Sequence, residues 1–182
     1  MRAVLDTCVI FPTIMREMLL GAAEKGHFQP QWSDRILEEW ARAAARLGPE
    51  GEVQARAEAV LMNAAWPKAQ VAQAPGIEAR LWLPDPADIH VLATAIAGSA
   101  DTIITLNAKD FPRNILAEEG LTRIDPDGLL YQFWLQDPTG IEAVGRSVLA
   151  KARALSDGEW QMRPLLKKAR LPRLAKALAA IT

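Results

Sequence analysis

The stretch DPADIHVLATAIAGSADTIITL, residues 85–106, decides the fold. Its first half reads as a helix: Asp85 can cap, Pro86 takes the first helical position, and Ile89, Leu92, Ala93 and Ile96 recur at helical spacing. Gly98 ends it. The second half, DTIITL (101–106), is short, β-branched and apolar, the pattern of a strand buried on both faces. A helix running straight into such a strand points to a parallel sheet.

The same alternation extends in both directions. AVLD (3–6) is a short apolar strand that ends on Asp6, and PTIMREMLLGAAEKG follows as a helix between Pro12 and Gly26. FQPQW (28–32) is a second strand, confined by Pro30 to an edge or an end. SDRILEEWARAAARLG is a helix capped by Ser33, with Ile36, Leu37, Trp40 and Ala44 on its apolar face and Gly48 as stop. A further helix is expected over 50–66, a short one in FPRNILAEEG, and a last strand in LTRI (121–124). The expected fold is therefore α/β with a central, mainly parallel sheet. After DPDGLL the pattern turns wholly helical, and Pro138, Pro164 and Pro172 are expected to divide it into short helices. The domain division is placed at 137/138, with an α/β domain over 1–137 and a helical extension over 138–182.

Composition narrows the function classes. The chain has 182 residues, half of them hydrophobic and 24% charged, which is ordinary for a globular protein with its own core. No run reaches the length of a membrane span, and the N-terminal residues lack the pattern of a secretion signal, so a cytoplasmic protein is expected. Cys8 is the single cysteine, which excludes an internal disulfide, and with only His27 and His90 beside it there is no basis for a zinc site. The net charge of −1 conceals an asymmetry: residues 1–137 carry 19 acids against 12 bases, residues 138–182 carry 3 against 9. A basic tail on an acidic body suits a polyanion or an acidic partner, unless it is only a solvated helical surface.

The acids carry the chemistry. Ligands of open α/β sheets bind outside the carboxyl ends of the strands. Asp6 ends the first strand, Asn107 and Asp110 follow DTIITL, Asp88 lies in the first turn of the preceding helix, and Glu38 and Glu39 lie in the helix after the second strand. Clustered carboxylates repel one another unless a cation joins them, and hard divalent ions take oxygen ligands. Such a site suits hydrolysis of a phosphodiester without a protein nucleophile. Each acid also has a plainer reading. Asp85 and Asp88 fit a cap and a first-turn acid, Glu38 and Glu39 fit a solvated face pairing with Arg42, and Asp110 fits a cap of the next helix. Cys8 reads as a small buried hydrophobe, and His90 as a helix-surface or interface group.

VLDTCVIFP, SDRILEEW, LPDPADIHVLATAIAGSADTIITLNAKDFP and IDPDGLL, in that order, resemble the PIN-domain family. Within it the likeness is to the toxin of bacterial VapBC-type toxin–antitoxin pairs, in a subgroup with a helical C-terminal region. The resemblance implies an α/β/α sandwich, Mg²⁺- or Mn²⁺-dependent cleavage of RNA, and inhibition by a cognate antitoxin. It places the catalytic and metal-binding acids on Asp6, Glu39, Asp88 and Asp110, with Glu38 as the fallback for Glu39. Thr7, Asp85, Thr105 and Asn107 become accessory positions. Asn107 stands where many members have an aspartate, and Asp110 is expected to substitute for it.

Lys151, Arg153, Arg163, Lys167, Lys168, Arg170, Arg173 and Lys176 are the expected contacts to RNA phosphates or to the antitoxin. A homodimer using Phe133 and Trp134 is a further expectation. Two other functions compete. A catalytically degenerate PIN-like module binding RNA or protein is one, on the ground of Asn107. An aspartyl-nucleophile phosphatase is the other, weakened because Cys8 stands where its motif needs a second acid.

Overall fold

The computed structural model describes residues 1–156 and 158–180. Strand β1 (Arg2–Leu5) runs into the single-turn helix α1 (Thr7–Ile10), followed by α2 (Thr13–Glu24), β2 (Gln29–Gln31), α3 (Asp34–Ala44) and α4 (Gly51–Ala65). The one-turn α5 (Pro75–Glu78) precedes α6 (Ile89–Ala97), which a 3-10 turn over Pro86–Asp88 introduces. Next come β3 (Thr102–Ile104), α7 (Arg113–Glu118) and β4 (Thr122–Ile124). The remaining elements are helical: α8 (Pro126–Gln136), α9 (Pro138–Ala154), α10 (Met162–Lys168), α11 (Pro172–Ala177) and a last 3-10 turn. Among the described residues no helix is long and apolar enough to cross a membrane.

The four strands form one all-parallel sheet flanked by helices, in the order β2-β1-β3-β4. Ala3, Val4 and Leu5 of β1 and Ile103 and Ile104 of β3 are fully buried, as central parallel strands require. β2 is an edge strand, where Pro30 removes no ladder donor that the sheet needs. Because β1 lies between β2 and β3, the strand order reverses there. The crevice outside the carboxyl ends of β1 and β3 is thus the topological switch point.

Two helices aim side chains toward that edge. Ser33 caps α3, its hydroxyl accepting the Ile36 N–H at 3.3 Å, and Ile36, Leu37, Trp40, Ala41 and Ala44 form the buried face. Ser33→Ala is expected to lower stability by about 1 kcal/mol, read as an earlier urea midpoint with an unchanged slope. Asp85 caps the turn before α6 by accepting the Ala87 N–H at 2.9 Å. In α6 all of His90 to Ala95 is buried, so the helix is enclosed on every side instead of presenting the single apolar stripe expected from Ile89, Leu92, Ala93 and Ile96. Gly98 follows α6, but the left-handed residue is Ser99 (φ 48°). Gly98 leaves room for the Gln31 side chain, whose Nε2 donates to the Gly98 carbonyl at 2.8 Å; a Cβ there would make Gln31 shift.

Two compact units divide the chain: Met1–Phe11 with Gln29–Ile124, and Pro12–Phe28 with Asp125–Thr182. In the second unit α2 packs on α9 at Gly21, where a Cβ would come within 2.5 Å of Val144 Cγ1. Asp125 and Asp137 cap α8 and α9, each followed by a proline at the first helical position. The buried Asp127 carboxylate accepts the backbone N–H groups of Arg173 and Leu174 at the start of α11. The helices here are not all short: α9 has 17 residues, and Pro164 sits in the first turn of α10, where a missing N–H costs nothing. Phe133, expected at a dimer contact, is buried and stacks on His27 and Phe28 within this unit, with ring centroids 4.8 and 5.8 Å away.

Candidate metal centre

Asp6 follows the last residue of β1 in extended conformation, and its side chain makes no capping bond to α1. At 5% exposure the carboxylate is satisfied from elsewhere. The Thr105 hydroxyl donates to Asp6 Oδ2 at 2.7 Å and accepts the Asn107 N–H at 2.9 Å. The Cys8 thiol lies 3.1 Å from the same Oδ2, and its sulfur accepts the Leu106 N–H at 3.2 Å. Parallel pairing of β1 with β3 makes this possible, since Leu5 stands opposite Ile104 and the next residue on each strand is Asp6 and Thr105. Burial first, and then the Asp6 charge, push the Cys8 thiol up to about 12. Cys8 is therefore a neutral donor to the acid, with a more polar role than that of a plain buried hydrophobe.

Position along α3 separates the two adjacent glutamates. Glu38 binds Arg56 of α4 at 2.6 and 2.9 Å and Arg42 at 2.8 Å, and the hydrogen bonds from Arg56 and then Arg42 pull its carboxyl down to about 2. Glu39 lies about 100° further round the helix. Its Oε2 accepts the Thr7 hydroxyl at 3.2 Å, and its Oε1 lies 2.8 Å from His90 Nε2. Arg35, one turn earlier, approaches the same Oε1 at 3.7 Å.

Carboxylate oxygens of Asp85, Asp88 and Asp110 lie within 4.8 Å of one another. Asp85 is exposed; Asp88 and Asp110 are half-buried. The Asp88 carboxyl is pushed up to about 6, by burial first and then by the negative charges of Asp6, Asp85, Asp110 and Glu39. Five acids from four separate parts of the chain thus act on one point. Asn107 Nδ2 donates to Asp88 Oδ2 at 3.3 Å, supplying a donor where an acid would add another charge. The tight oxygen group contains Asp85, taken from sequence as an accessory, while Asp6 and Glu39 act on Asp88 from outside it. A set of hard carboxylate oxygens with crowded negative charge could hold a metal ion of the kind that takes oxygen ligands.

His90 is the residue that sequence reasoning misplaced. It is 2% exposed and faces Glu39, with neither ring nitrogen in an aligned hydrogen bond. Its spacing two residues after Asp88 carries no signal, because only the enclosure of α6 reveals its burial.

The eight basic side chains singled out between Lys151 and Lys176 all belong to exposed residues. Several have local partners. Lys151 Nζ lies 2.6 Å from Glu17, Arg153 Nε donates to the Trp160 carbonyl at 2.7 Å, and Lys168 Nζ stands 4.9 Å over the Trp160 ring.

In comparisons with known proteins, a family model described as PIN domain matches residues 2–109. No curated protein and no solved structure matches.

Proposed function

Since the chain belongs to the PIN domain family, we propose that it is a metal-dependent endoribonuclease, the toxin of a toxin–antitoxin pair, held inactive by its cognate antitoxin in the cytoplasm. The observation that carries this reading is the crowding at Asp88. Its carboxyl is pushed up to about 6 by burial and by four other acids, and its oxygens lie within 4.8 Å of those of Asp85 and Asp110. Such an arrangement is strained alone and relieved by a divalent cation.

Asp85, Asp88 and Asp110 would hold Mg²⁺ or Mn²⁺, with Asp6 and Glu39 completing the acidic surround. When bound, the ion stabilises charge on a phosphodiester and favours attack by water. The other residues serve the acids. Thr105 and Cys8 fix Asp6 by donating to one oxygen, Thr7 fixes Glu39, and Asn107 holds Asp88 by its amide. With Cys8 protonated and committed to Asp6, no thiolate competes as nucleophile. The exposed bases from Lys151 to Lys176 supply phosphate contacts to RNA, or charge to the antitoxin.

The test is cleavage of structured RNA by the purified chain. Cutting is expected with Mg²⁺ or Mn²⁺ and is expected to vanish in EDTA. Undiminished cutting in EDTA sinks the metal mechanism. Binding of Mn²⁺ and RNA without any cutting favours the degenerate binding module, for which Asn107 is the motivating feature.

A further inference from the structure

We propose that His90 is the positioning residue for Glu39, holding that carboxylate toward the acid cluster and away from solvent. The inference rests on the nuclease reading above and assigns a role to a side chain which that reading does not use.

Glu39 is a long acid on α3, with its side chain 36% exposed. Two sets of contacts compete for it. Arg35, one turn back on the same helix, lies 3.7 Å from Oε1 and also pairs with Glu78 at 3.3 Å, drawing the carboxylate outward. Thr7 of α1 donates to Oε2 at 3.2 Å, and His90 of α6 lies 2.8 Å from Oε1, drawing it inward. Exposed pairs such as Glu39–Arg35 are weak and leave most side-chain freedom intact, so the inward contacts decide where the carboxylate rests.

The second observation concerns the histidine itself. Its ring is enclosed at 2% exposure, yet neither Nδ1 nor Nε2 has an aligned hydrogen-bond partner. A buried polar ring left unsatisfied costs stability, so α6 would be better served by an apolar residue here. Glu39 is the acid at contact distance from the ring, and a small torsion of that flexible side chain aligns the N–H. Hydrogen bonds that are short but poorly aligned in the free enzyme commonly tighten in the substrate complex. The Nε2 proton is present both in the charged ring and in one neutral tautomer, so the contact requires no titration. Partners that orient an acid in this way are worth roughly ten- to a hundredfold in activity or metal affinity.

The experiment compares His90→Leu, His90→Gln, Glu39→Ala and the His90→Leu/Glu39→Ala double variant in the full chain, with Asp6→Asn as reference. Single-turnover RNA cleavage, KM, Mn²⁺ affinity by electron paramagnetic resonance and melting temperature are read for each. His90→Leu is expected to lower kcat by roughly ten- to a hundredfold and to weaken Mn²⁺ binding. Its KM should hold within about twofold and its melting temperature should stay level or rise. Glutamine, which keeps a donor near the Nε2 position, is expected to recover most of the rate. In the Glu39→Ala background the leucine substitution should have no further effect.

A His90→Leu chain with parental kcat overturns the proposal. So does a loss that persists unchanged without Glu39, or one that follows a falling melting temperature and is not recovered by glutamine. If the leucine chain does not fold, His90→Phe, which keeps a planar ring without nitrogens, replaces it in the same cycle. Full activity in Asp6→Asn removes the nuclease reading and this proposal with it. An inactive Asp6→Asn beside a fully active His90→Leu removes only the proposal.

Discussion

Asp6→Asn is expected to slow metal-dependent RNA cleavage by about 10²- to 10³-fold, a loss of roughly 3–4 kcal/mol of transition-state stabilisation. Asparagine has the shape of aspartate and still accepts the Thr105 hydroxyl, so the backbone pairing of β1 with β3 has no reason to change. What disappears is a full negative charge, 95% buried, at the switch point of the sheet. Charge buried at such a position acts over a longer reach than in water, because little solvent screens it. The rate is measured under single turnover with saturating Mn²⁺, and the fold by circular dichroism. A variant that folds and cuts at the parental rate would show that the cutting does not come from this acidic site, and would remove the nuclease reading.

Asp88→Asn is expected to do two opposite things: abolish cleavage, and stabilise the metal-free chain at neutral pH. The native carboxyl is pushed from its ordinary 3.8 up to about 6, by burial first and then by Asp6, Asp85, Asp110 and Glu39. Between those values the native state holds a proton that the unfolded chain has released. This group therefore favours folding fully below pH 3.8, and its contribution is lost as the pH rises through about 6. Solvent screening at a half-buried group reduces the effect, and about 1 kcal/mol is expected at pH 7. Replacing Asp88 by asparagine removes the penalty, so the melting temperature at pH 7 should rise and its fall between pH 4 and 6 should flatten. Adding Mn²⁺ should raise the melting temperature of the parent but not of the variant, by mass action on the native state alone. A variant that melts earlier than its parent at pH 7, metal-free, would contradict the crowding that motivates the metal.

The elements that position these acids were legible because their signals are local. Ser33 and Asp85 cap where their sequence neighbours say they should, and the β-branched run at Thr102–Ile104 forms the buried strand it resembles. The strand-end acids followed from a general property of parallel sheets, which needs only the order of elements. What stayed hidden depends on contacts distant in sequence. The family resemblance favours Glu39 over Glu38, but the partner that holds Glu38 away, Arg56, stands 18 residues beyond it and carries no local signal. Asp85 belongs to the tight oxygen group only because Asp110 returns to it after β3. Helices α1 and α5 are single turns, too short to show a period. The burial of His90 follows from α6 being enclosed all round, which a three-four spacing of apolar residues does not reveal.

The central place of β1 also sets a schedule. Asp6 leaves the ribosome well before the hydroxyl that orients it, which belongs to Thr105, 99 residues later. At about 5–20 residues per second, some 5–20 s separate the two. For most of that interval β1 has β2 available but not β3; Asp88 is added only late in it, and Asp110 after its end. A nascent chain therefore carries the first acid long before it carries the complete acid cluster. Late assembly of the acid cluster is thus written into strand order.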